Sequence, residues 1–164
     1  MLARHGLREK EMMKFIIITG TQNSGKTTTA RLVYQSLWPQ AINVHLTDAY
    51  EKDLPKEHPL IEEGKPIDFI AGMKVNGKDV AIVSLGDYPE YLKRQIAIYL
   101  NQVDFFVCCL RTRDREGSTR RMLYTDYANY PKEEFWTEYS EDKSLEFKVK
   151  EKVVERIKSA IMSN

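Results

Sequence analysis

The sequence predicts an α/β fold, a three-layer α/β/α sandwich around a mostly parallel sheet. Short apolar runs rich in β-branched residues, such as 15–19, are typical of strands buried on both faces. Segments with helical periodicity separate these runs, as expected where strands and helices alternate. Asn76-Gly77 stands between two apolar runs and indicates a tight β-hairpin. This hairpin is predicted to contribute one antiparallel strand to the sheet.

The remaining elements follow from the same patterns in chain order. Apolar runs predict strands at 15–19, 41–46, 69–75, 79–84, 103–110 and 135–139. Amphipathic spacing predicts helices at 28–36, 91–100 and 117–127, and a terminal helix carrying Val149, Val153, Ile157, Ala160 and Ile161. Polar residues and prolines fill the segment 50–66, which is predicted to lie outside the core.

Length and composition indicate a single compact domain at 14–164, preceded by a short charged extension at 1–13. Of the 164 residues, 42% are hydrophobic and 30% are charged, which is ordinary for a soluble globular protein. The formal net charge of +1 gives no excess of positive charge for general nucleic-acid binding. No apolar stretch approaches the roughly 20 residues that a membrane span needs. We therefore expect a cytoplasmic protein without membrane contact.

The two cysteines, Cys108 and Cys109, are adjacent on a predicted strand, where successive side chains point to opposite faces. This arrangement disfavours a disulfide between them and a shared metal ion. It favours two small, buried, reduced side chains. The three histidines show no ligand spacing with the cysteines, and we expect no structural zinc.

The segment 20–27, which reads GTQNSGKT, matches the phosphate-binding pattern G-x-x-x-x-G-K-[ST]. In this pattern the glycines allow backbone N–H groups to approach the phosphates, and the lysine reaches the β- and γ-phosphates. A predicted strand precedes the segment and a predicted helix follows it, so the positive end of the helix dipole faces the phosphates. We predict nucleotide binding by Gly20, Thr21, Gln22, Asn23, Ser24, Gly25, Lys26, Thr27 and Thr28.

On these residues the chain resembles the P-loop NTPase superfamily, and in particular its small kinase-like branch. The resemblance implies ATP and Mg²⁺ as ligands, with Lys26 on the phosphates and Thr27 on the metal. ATP is the expected nucleotide because the segment 101–104, NQVD, lacks the lysine of the guanine-reading N-K-x-D motif. The expected reaction is transfer of the γ-phosphoryl group to a small-molecule or nucleotide acceptor. The alternatives are a regulatory ATPase acting on a macromolecular partner and a nucleotide-binding module without catalysis.

Two acidic residues follow predicted strands, where ligands bind in open α/β sheets. Asp87 ends the segment 80–87, which resembles a Walker B strand, and is predicted to complete the Mg²⁺ shell with Thr27. The alternative for Asp87 is an N-cap of the following helix. Asp48 follows the second strand and is predicted to orient the acceptor hydroxyl or take its proton. The alternative for Asp48 is a turn residue.

A basic segment, 111–121, begins where the strand 103–110 ends and carries five arginines. Arg111 and Arg113 are closest to the strand end, and we predict that they neutralise charge on the transferring phosphoryl group. Small P-loop kinases have a basic lid in about this place, and the resemblance implies the same role here. The alternative is ion pairing of these arginines with Asp114 and Glu116 on a solvated surface.

Overall fold

The computed structural model describes residues 12–21, 25–112, 114–138 and 141–163 and shows an α/β fold. The strands in these ranges are β1 (Lys14–Gly20), β2 (Ile42–Asp48), β3 (Asp53–Leu54), β4 (Ile61–Glu62), β5 (Lys65–Pro66), β6 (Phe69–Val75), β7 (Lys78–Val83), β8 (Phe105–Arg111) and β9 (Lys132–Trp136). The helices are α1 (Lys26–Leu37), α2 (Pro89–Tyr99), α3 (Thr119–Asp126) and α4 (Lys143–Met162), and a 3₁₀ turn follows α1 at Trp38–Gln40.

Seven of these strands form one mixed sheet in the order β3-β2-β6-β7-β8-β1-β9. The neighbours β7, β8, β1 and β9 pair in parallel, whereas β6 runs antiparallel to both β2 and β7. The predicted hairpin between β6 and β7 is confirmed. Its central residues, Asn76 and Gly77, have φ values of 50° and 77°, as a tight turn with two positive φ angles requires.

The sequence predicted one antiparallel strand, but the sheet has a second one at its edge. The chain turns back after Asp48, and β3 pairs antiparallel with β2 through Leu46 and Leu54. The separate pair β4-β5 is also antiparallel. The segment 50–66 is therefore less irregular than its composition indicated. Leu60, in this segment, is fully buried, and its carbonyl accepts a hydrogen bond from the Ile67 amide at 3.0 Å.

Two apolar cores lie on the two faces of the sheet, and β1 contributes to both because successive strand side chains alternate in direction. Ile16 and Ile18 pack in one core with residues of α1 and α4. Phe15 and Ile17 pack in the other core with residues of α2 and α3. Among the described helices, none combines the length and apolar character that a membrane-spanning segment requires.

Two expectations, one on the N-terminal extension and one on the last strand, differ from the structure. Met13, assigned to the charged extension, is buried in the second core, so packing begins before residue 14. Residues 1–11 lie outside the described part of the chain. The last strand is β9, at Lys132–Trp136, and not 135–139. The Phe15 amide donates to the carbonyl of Pro131 at 2.9 Å, which fixes the start of β9 against β1.

Candidate functional site

A cavity of about 450 Å³ lies beyond one edge of the sheet, where the carboxyl ends of β1, β7 and β8 meet the amino end of β6. The antiparallel direction of β6 brings its first residues to this edge. We call this space the first cavity. Its lining residues are Gly25, Lys26, Thr27, Thr28, Pro66, Asp68, Ser84, Leu85, Gly86, Asp87, Cys109 and Arg111.

The junction between β1 and α1 forms one wall of the first cavity. Gly25 precedes α1 with φ 86°, a left-handed conformation that favours glycine. A Cβ atom at Gly25 would also lie 2.2 Å from Lys150 Cε, so a larger residue would have to displace the end of this lysine side chain. No side chain caps the first turn of α1 in the described part of the chain, which leaves its amides available to an anion. Gln22, Asn23 and Ser24 lie outside the described residues.

Lys26, the motif lysine, is half-buried in the wall of the first cavity. Its Nζ donates a hydrogen bond to the carbonyl of Thr21 at 2.8 Å. Burial lowers the pKa of Lys26, and the charge of Asp87 opposes this shift only in part. The ammonium group has no ion-pair partner within 4 Å among the described residues. An unpaired, partly desolvated cation at this position is suited to a polyanionic ligand.

Asp68 was not predicted, yet it lies at the centre of the first cavity's polar residues. Its Oδ1 accepts hydrogen bonds from Ser84 Oγ at 2.9 Å and from Thr27 Oγ1 at 3.4 Å. Burial raises the pKa of Asp68, and these two hydrogen bonds oppose the shift only in part. Ser84 also accepts from the Phe69 amide at 2.8 Å, which fixes the hydroxyl that donates to the carboxylate. Asp68 is therefore a positioned carboxylate beside the predicted metal ligand Thr27.

Asp87 forms an ion pair across the edge of the sheet. Its two carboxylate oxygens accept from Nε and Nη2 of Arg111 at 3.0 Å and 3.3 Å. The N-cap of α2 is Tyr88, without a side-chain hydrogen bond, so the capping alternative for Asp87 is wrong. Gly86 explains the loop that precedes Asp87. A Cβ atom at Gly86 would lie 1.7 Å from the carbonyl oxygen of Cys109, so this chain segment packs directly on β8.

Asp48 lies at the end of β2 but does not line the first cavity. Its Oδ1 accepts from the amides of Tyr50 at 2.9 Å and Lys52 at 3.0 Å. The structure confirms the turn alternative, because this carboxylate orders the return of the chain toward β3. Its predicted role toward an acceptor remains a prediction.

The basic segment 111–121 is divided among several environments. Arg111 is paired with Asp87, and Arg113 lies outside the described residues. Arg121 pairs with Asp114 at 2.9 Å, and both side chains are at least half exposed. For this pair the surface alternative is confirmed. Arg120 behaves differently, since its guanidinium is almost buried.

Arg120 is the centre of a buried polar network between α3, β1 and β9. Its Nη1 donates to Glu134 at 2.8 Å, its Nη2 to Thr19 Oγ1 at 3.1 Å and its Nε to the carbonyl of Arg111 at 2.8 Å. Glu134 also accepts hydrogen bonds from Thr19, at 2.6 Å, and from Tyr124. Burial alone would raise the pKa of Glu134, but the bonds from Arg120, Thr19 and Tyr124 together lower it. The network anchors α3 to the sheet.

A second cavity, of about 560 Å³, adjoins the first and shares Gly86, Asp87 and Arg111 with it. Its other lining residues come from the connection to α2 and from the turn that leads into α3. They are Tyr88, Arg115, Glu116, Gly117, Ser118, Thr119 and Arg120. The Asp87–Arg111 ion pair therefore stands at the boundary of the two cavities.

The comparisons with known proteins identify no family for this chain. The sequence matches no protein-family model and no curated protein. Among solved structures, it is similar to the crystal structure of APE1195 with 15% identity, a TM-score of 0.40 and coverage of 92% of this chain and 74% of that chain. Similarity at this level supports no conclusion about a shared activity. The function is therefore argued from the residues of the site.

Proposed function

We propose that this protein binds Mg²⁺-ATP in the first cavity as a P-loop phosphotransferase. In this proposal it transfers the γ-phosphoryl group to a small-molecule or nucleotide acceptor. The observation that carries the proposal is the convergence of Lys26, Thr27 and Asp68 on one cavity at the end of β1. The packing of α1 with α4 and of α2 with α3 in separate cores further supports a three-layer arrangement of the P-loop type.

The residues present fit a nucleotide phosphate group. Within the described residues, the first turn of α1 has no side-chain cap and Lys26 has no ion-pair partner, so the amides and the ammonium group are available to phosphate oxygens. These are the features that bind phosphate at a helix N-terminus. Lys26 would contact the β- and γ-phosphates, and the amides of the segment 25–28 would contact phosphate oxygens.

The residues also fit Mg²⁺. This cation binds oxygen ligands, of which the protein usually supplies only a few. It is usually held by one or two carboxylates together with substrate phosphates. Thr27 Oγ1 and Asp68 Oδ1 lie 3.4 Å apart and would hold the metal, which would neutralise charge on the phosphates. The described residues contain no cluster of three or more His, Cys, Asp or Glu side chains, and this mode of binding needs none. In this proposal Asp68 takes the place in the metal shell that was predicted for Asp87.

In this proposal the Asp87–Arg111 ion pair acts on the transferring phosphoryl group and on the acceptor hydroxyl. Arg111 lines the first cavity, and its fork is held in place by Asp87, so it would face negative charge on the transferring group. Asp87 lines both cavities and would orient the acceptor hydroxyl and accept its proton late in transfer. Asp48 has no role in this proposal, because its carboxylate accepts hydrogen bonds in the turn after β2 and the residue lines neither cavity.

A binding experiment tests the site directly. We expect Lys26→Ala to weaken Mg²⁺-ATP binding roughly tenfold to a hundredfold, because hydrogen bonds to charged groups contribute about 1.5–3 kcal/mol. Calorimetric titration of both proteins with Mg²⁺-ATP measures the change, and Lys152→Ala, on the exposed face of α4, is the matched control. A folded Lys26→Ala variant with the affinity of the wild type would overturn the P-loop assignment.

A regulatory ATPase is the second candidate function, and one observation favours it. Pro66 of β5 lines the first cavity, so the segment 50–66 has a direct contact with the nucleotide site. Ligand-dependent ordering of such a segment is a known switching device. A screen for acceptor-dependent ADP formation separates the two candidates. A phosphotransferase forms ADP in proportion to an acceptor, whereas a regulator hydrolyses ATP slowly without one.

A further inference from the structure

We propose that the second cavity binds a phosphate group carried by the acceptor, so that the acceptor is a phosphate monoester with a free hydroxyl. This inference rests on the proposed phosphotransferase function and identifies the substrate class. It is carried by a buried hydroxyl, a helix N-terminus and an arginine, which together line one cavity beside the nucleotide site. Phosphate offers several acceptor oxygens that match these donors.

Thr119 provides the first observation. It lines the second cavity, is only 6% exposed, and its Oγ1 has no hydrogen-bond partner in the described part of the chain. Buried hydroxyl groups are nearly always hydrogen-bonded, because leaving one unsatisfied costs free energy. Because Oγ1 is itself covered, rotation of the Thr119 side chain toward the cavity would let a ligand oxygen there supply the missing acceptor. Thr119 therefore indicates a polar ligand at this position.

The N-terminus of α3 provides the second observation, since Thr119 is its first residue. The N-cap hydroxyl of Ser118 accepts from the amide of Arg121 at 3.0 Å. The amides of Thr119 and Arg120 have no side-chain acceptor among the described residues. These two donors, together with the positive end of the helix dipole, favour an anion beside the Thr119 hydroxyl.

Charge in the second cavity points to the same class of ligand. Arg111 is paired with Asp87, and Arg120 with Glu134, so both guanidinium groups are already neutralised. Arg115 lines the cavity, and its guanidinium has no ion-pair partner within the described ranges. Glu116 partly offsets this charge. Selectivity for phosphate would therefore depend more on the positions of the hydrogen-bond donors than on the net charge of the cavity.

Because the two cavities adjoin, a phosphoryl group could pass from ATP in the first cavity to an acceptor in the second. With its phosphate group in the second cavity, the acceptor would extend its hydroxyl past Asp87 toward the γ-phosphate of ATP. The hydroxyl oxygen forms a bond to the γ-phosphorus, and the bond from that phosphorus to the bridging oxygen breaks. ADP leaves with the electron pair of the broken bond, and the hydroxyl proton passes to Asp87. The products are ADP and an acceptor with two phosphate groups.

The test measures phosphate binding with the nucleotide site filled. The full chain is saturated with Mg²⁺-ADP and titrated by NMR with inorganic phosphate, ribose 5-phosphate and ribose. We expect ribose 5-phosphate to bind at least about tenfold more tightly than ribose, because ribose lacks the charged acceptor oxygens. We expect Thr119→Val to weaken ribose 5-phosphate binding about tenfold. Equal affinities of the monoester and ribose, or unchanged binding to Thr119→Val, would overturn the proposal.

Inorganic phosphate separates a free phosphate site from a site for an acceptor. Tighter binding of ribose 5-phosphate than of inorganic phosphate supports the acceptor, whereas tighter binding of inorganic phosphate shows a free anion site and overturns it. Two matched variants guard against misfolding. Thr119→Ser retains the hydroxyl and is expected to bind normally, and Thr125→Val makes the same change at an exposed position of α3.

The same titrations in a Lys26→Ala background distinguish this inference from the proposed function. If wild-type protein fails to bind Mg²⁺-ATP, the P-loop proposal is wrong, whatever Thr119→Val does. If Lys26→Ala weakens Mg²⁺-ATP binding but Thr119→Val leaves phosphate binding unchanged, only the proposal of an acceptor site is wrong. Phosphate binding that disappears in Lys26→Ala belongs to the first cavity and counts against the second.

Discussion

Asp68 and Glu134 are both partly buried carboxylates that accept hydrogen bonds from hydroxyl groups, yet their pKa values shift in opposite directions. Burial raises the pKa of Asp68, whose hydrogen bonds within the described ranges come from the Ser84 and Thr27 hydroxyl groups. Glu134 receives the Arg120 guanidinium as well as two hydroxyl groups, and its pKa is lowered despite burial. A carboxylate paired with a cation stabilises the fold. A carboxylate without such a partner has an uncompensated charge when ionised, and a metal ion can neutralise this charge by binding to it.

The basic side chains show the same contrast. Arg120 makes hydrogen bonds to three different partners and is neutralised by Glu134. Among the described residues, the Lys26 ammonium donates one hydrogen bond, to a carbonyl, and its pKa is lowered chiefly because it is buried. The molecule thus has a completed polar network under α3 and an uncompleted one in the first cavity. We expect substitutions in the completed network to affect stability and substitutions in the uncompleted one to affect ligand binding.

The largest effect is expected for Arg120→Met, which removes the cation from the completed network. It leaves Glu134 partly buried without its ion-pair partner, and breaking such a pair costs about 3–5 kcal/mol. The side chains are 10% and 23% exposed, so solvent screens the loss only slightly. Denaturation by urea measures the free energy of unfolding, and we expect a decrease of about 3 kcal/mol.

The control for this prediction is Arg121→Met in the same helix. Arg121 pairs with Asp114 on the surface, where an ion pair contributes only about 0–1 kcal/mol. Equal losses in the two variants would mean that the Arg120 network is no more important to the fold than a surface pair.

Asp68→Asn is expected to have the next largest effect, and on binding instead of on stability. Asparagine retains an oxygen for Ser84 and Thr27 but removes the negative charge from the proposed metal shell. We expect Mg²⁺-dependent ATP affinity to fall about tenfold, with little change in ATP affinity in the presence of EDTA. Calorimetric titrations with and without Mg²⁺ measure both values, and the exposed Asp53→Asn is the control. An equal loss under the two conditions would exclude a metal role for Asp68.

The pH dependence of stability gives a smaller effect whose sign can be derived. The raised pKa means that folded protein binds the Asp68 proton more tightly than the unfolded chain does. Stability is therefore lost as pH rises from the ordinary aspartate range through the folded pKa. Asp68→Asn lacks this loss, so we expect its stability relative to wild type to increase as pH rises from the ordinary aspartate range through the folded pKa and then to level off. Urea denaturation across this range measures the difference, and a constant difference would contradict the raised pKa.

The sequence predicted that Lys26 and Thr27 belong to the candidate site but missed Asp68, for a physical reason. The motif 20–27 is local, so its lysine and glycines could be interpreted without knowledge of the sheet. Asp68 precedes a strand, whereas the acidic site residues were predicted at positions that follow strands. The hairpin at Asn76-Gly77 could have indicated Asp68, because it makes β6 antiparallel to β7. Because β6 runs antiparallel, its first residues lie at the same edge as the last residues of its parallel neighbours.

The Arg120–Glu134 pair could not be derived from sequence patterns, because it depends on strand order. Glu134 lies on β9, which becomes a neighbour of β1 only through a parallel pairing of distant segments. Periodicity locates strands in the chain but does not order them in the sheet. The same limitation explains why the sequence alone could not distinguish Arg120 from the other arginines of the segment 111–121. Its neighbours in space, Thr19 and Glu134, are far from it in the sequence.

The smallest effect on stability is expected for Arg111→Lys, at the boundary between the two cavities. Lysine keeps the positive charge but loses the planar fork that contacts both oxygens of Asp87. The pair is partly exposed, with side chains 31% and 43% accessible, so we expect the free energy of unfolding to change by less than about 1 kcal/mol. If the fork also faces the transferring phosphoryl group, phosphoryl transfer should slow about threefold to tenfold while Mg²⁺-ATP affinity changes less. Steady-state kinetics with the acceptor identified by the screen measures the split between kcat and KM, with Arg121→Lys as the surface control. If Arg111→Lys has the kcat and KM of the wild type, the Asp87–Arg111 ion pair has no role in catalysis, like the surface pair of Arg121 and Asp114.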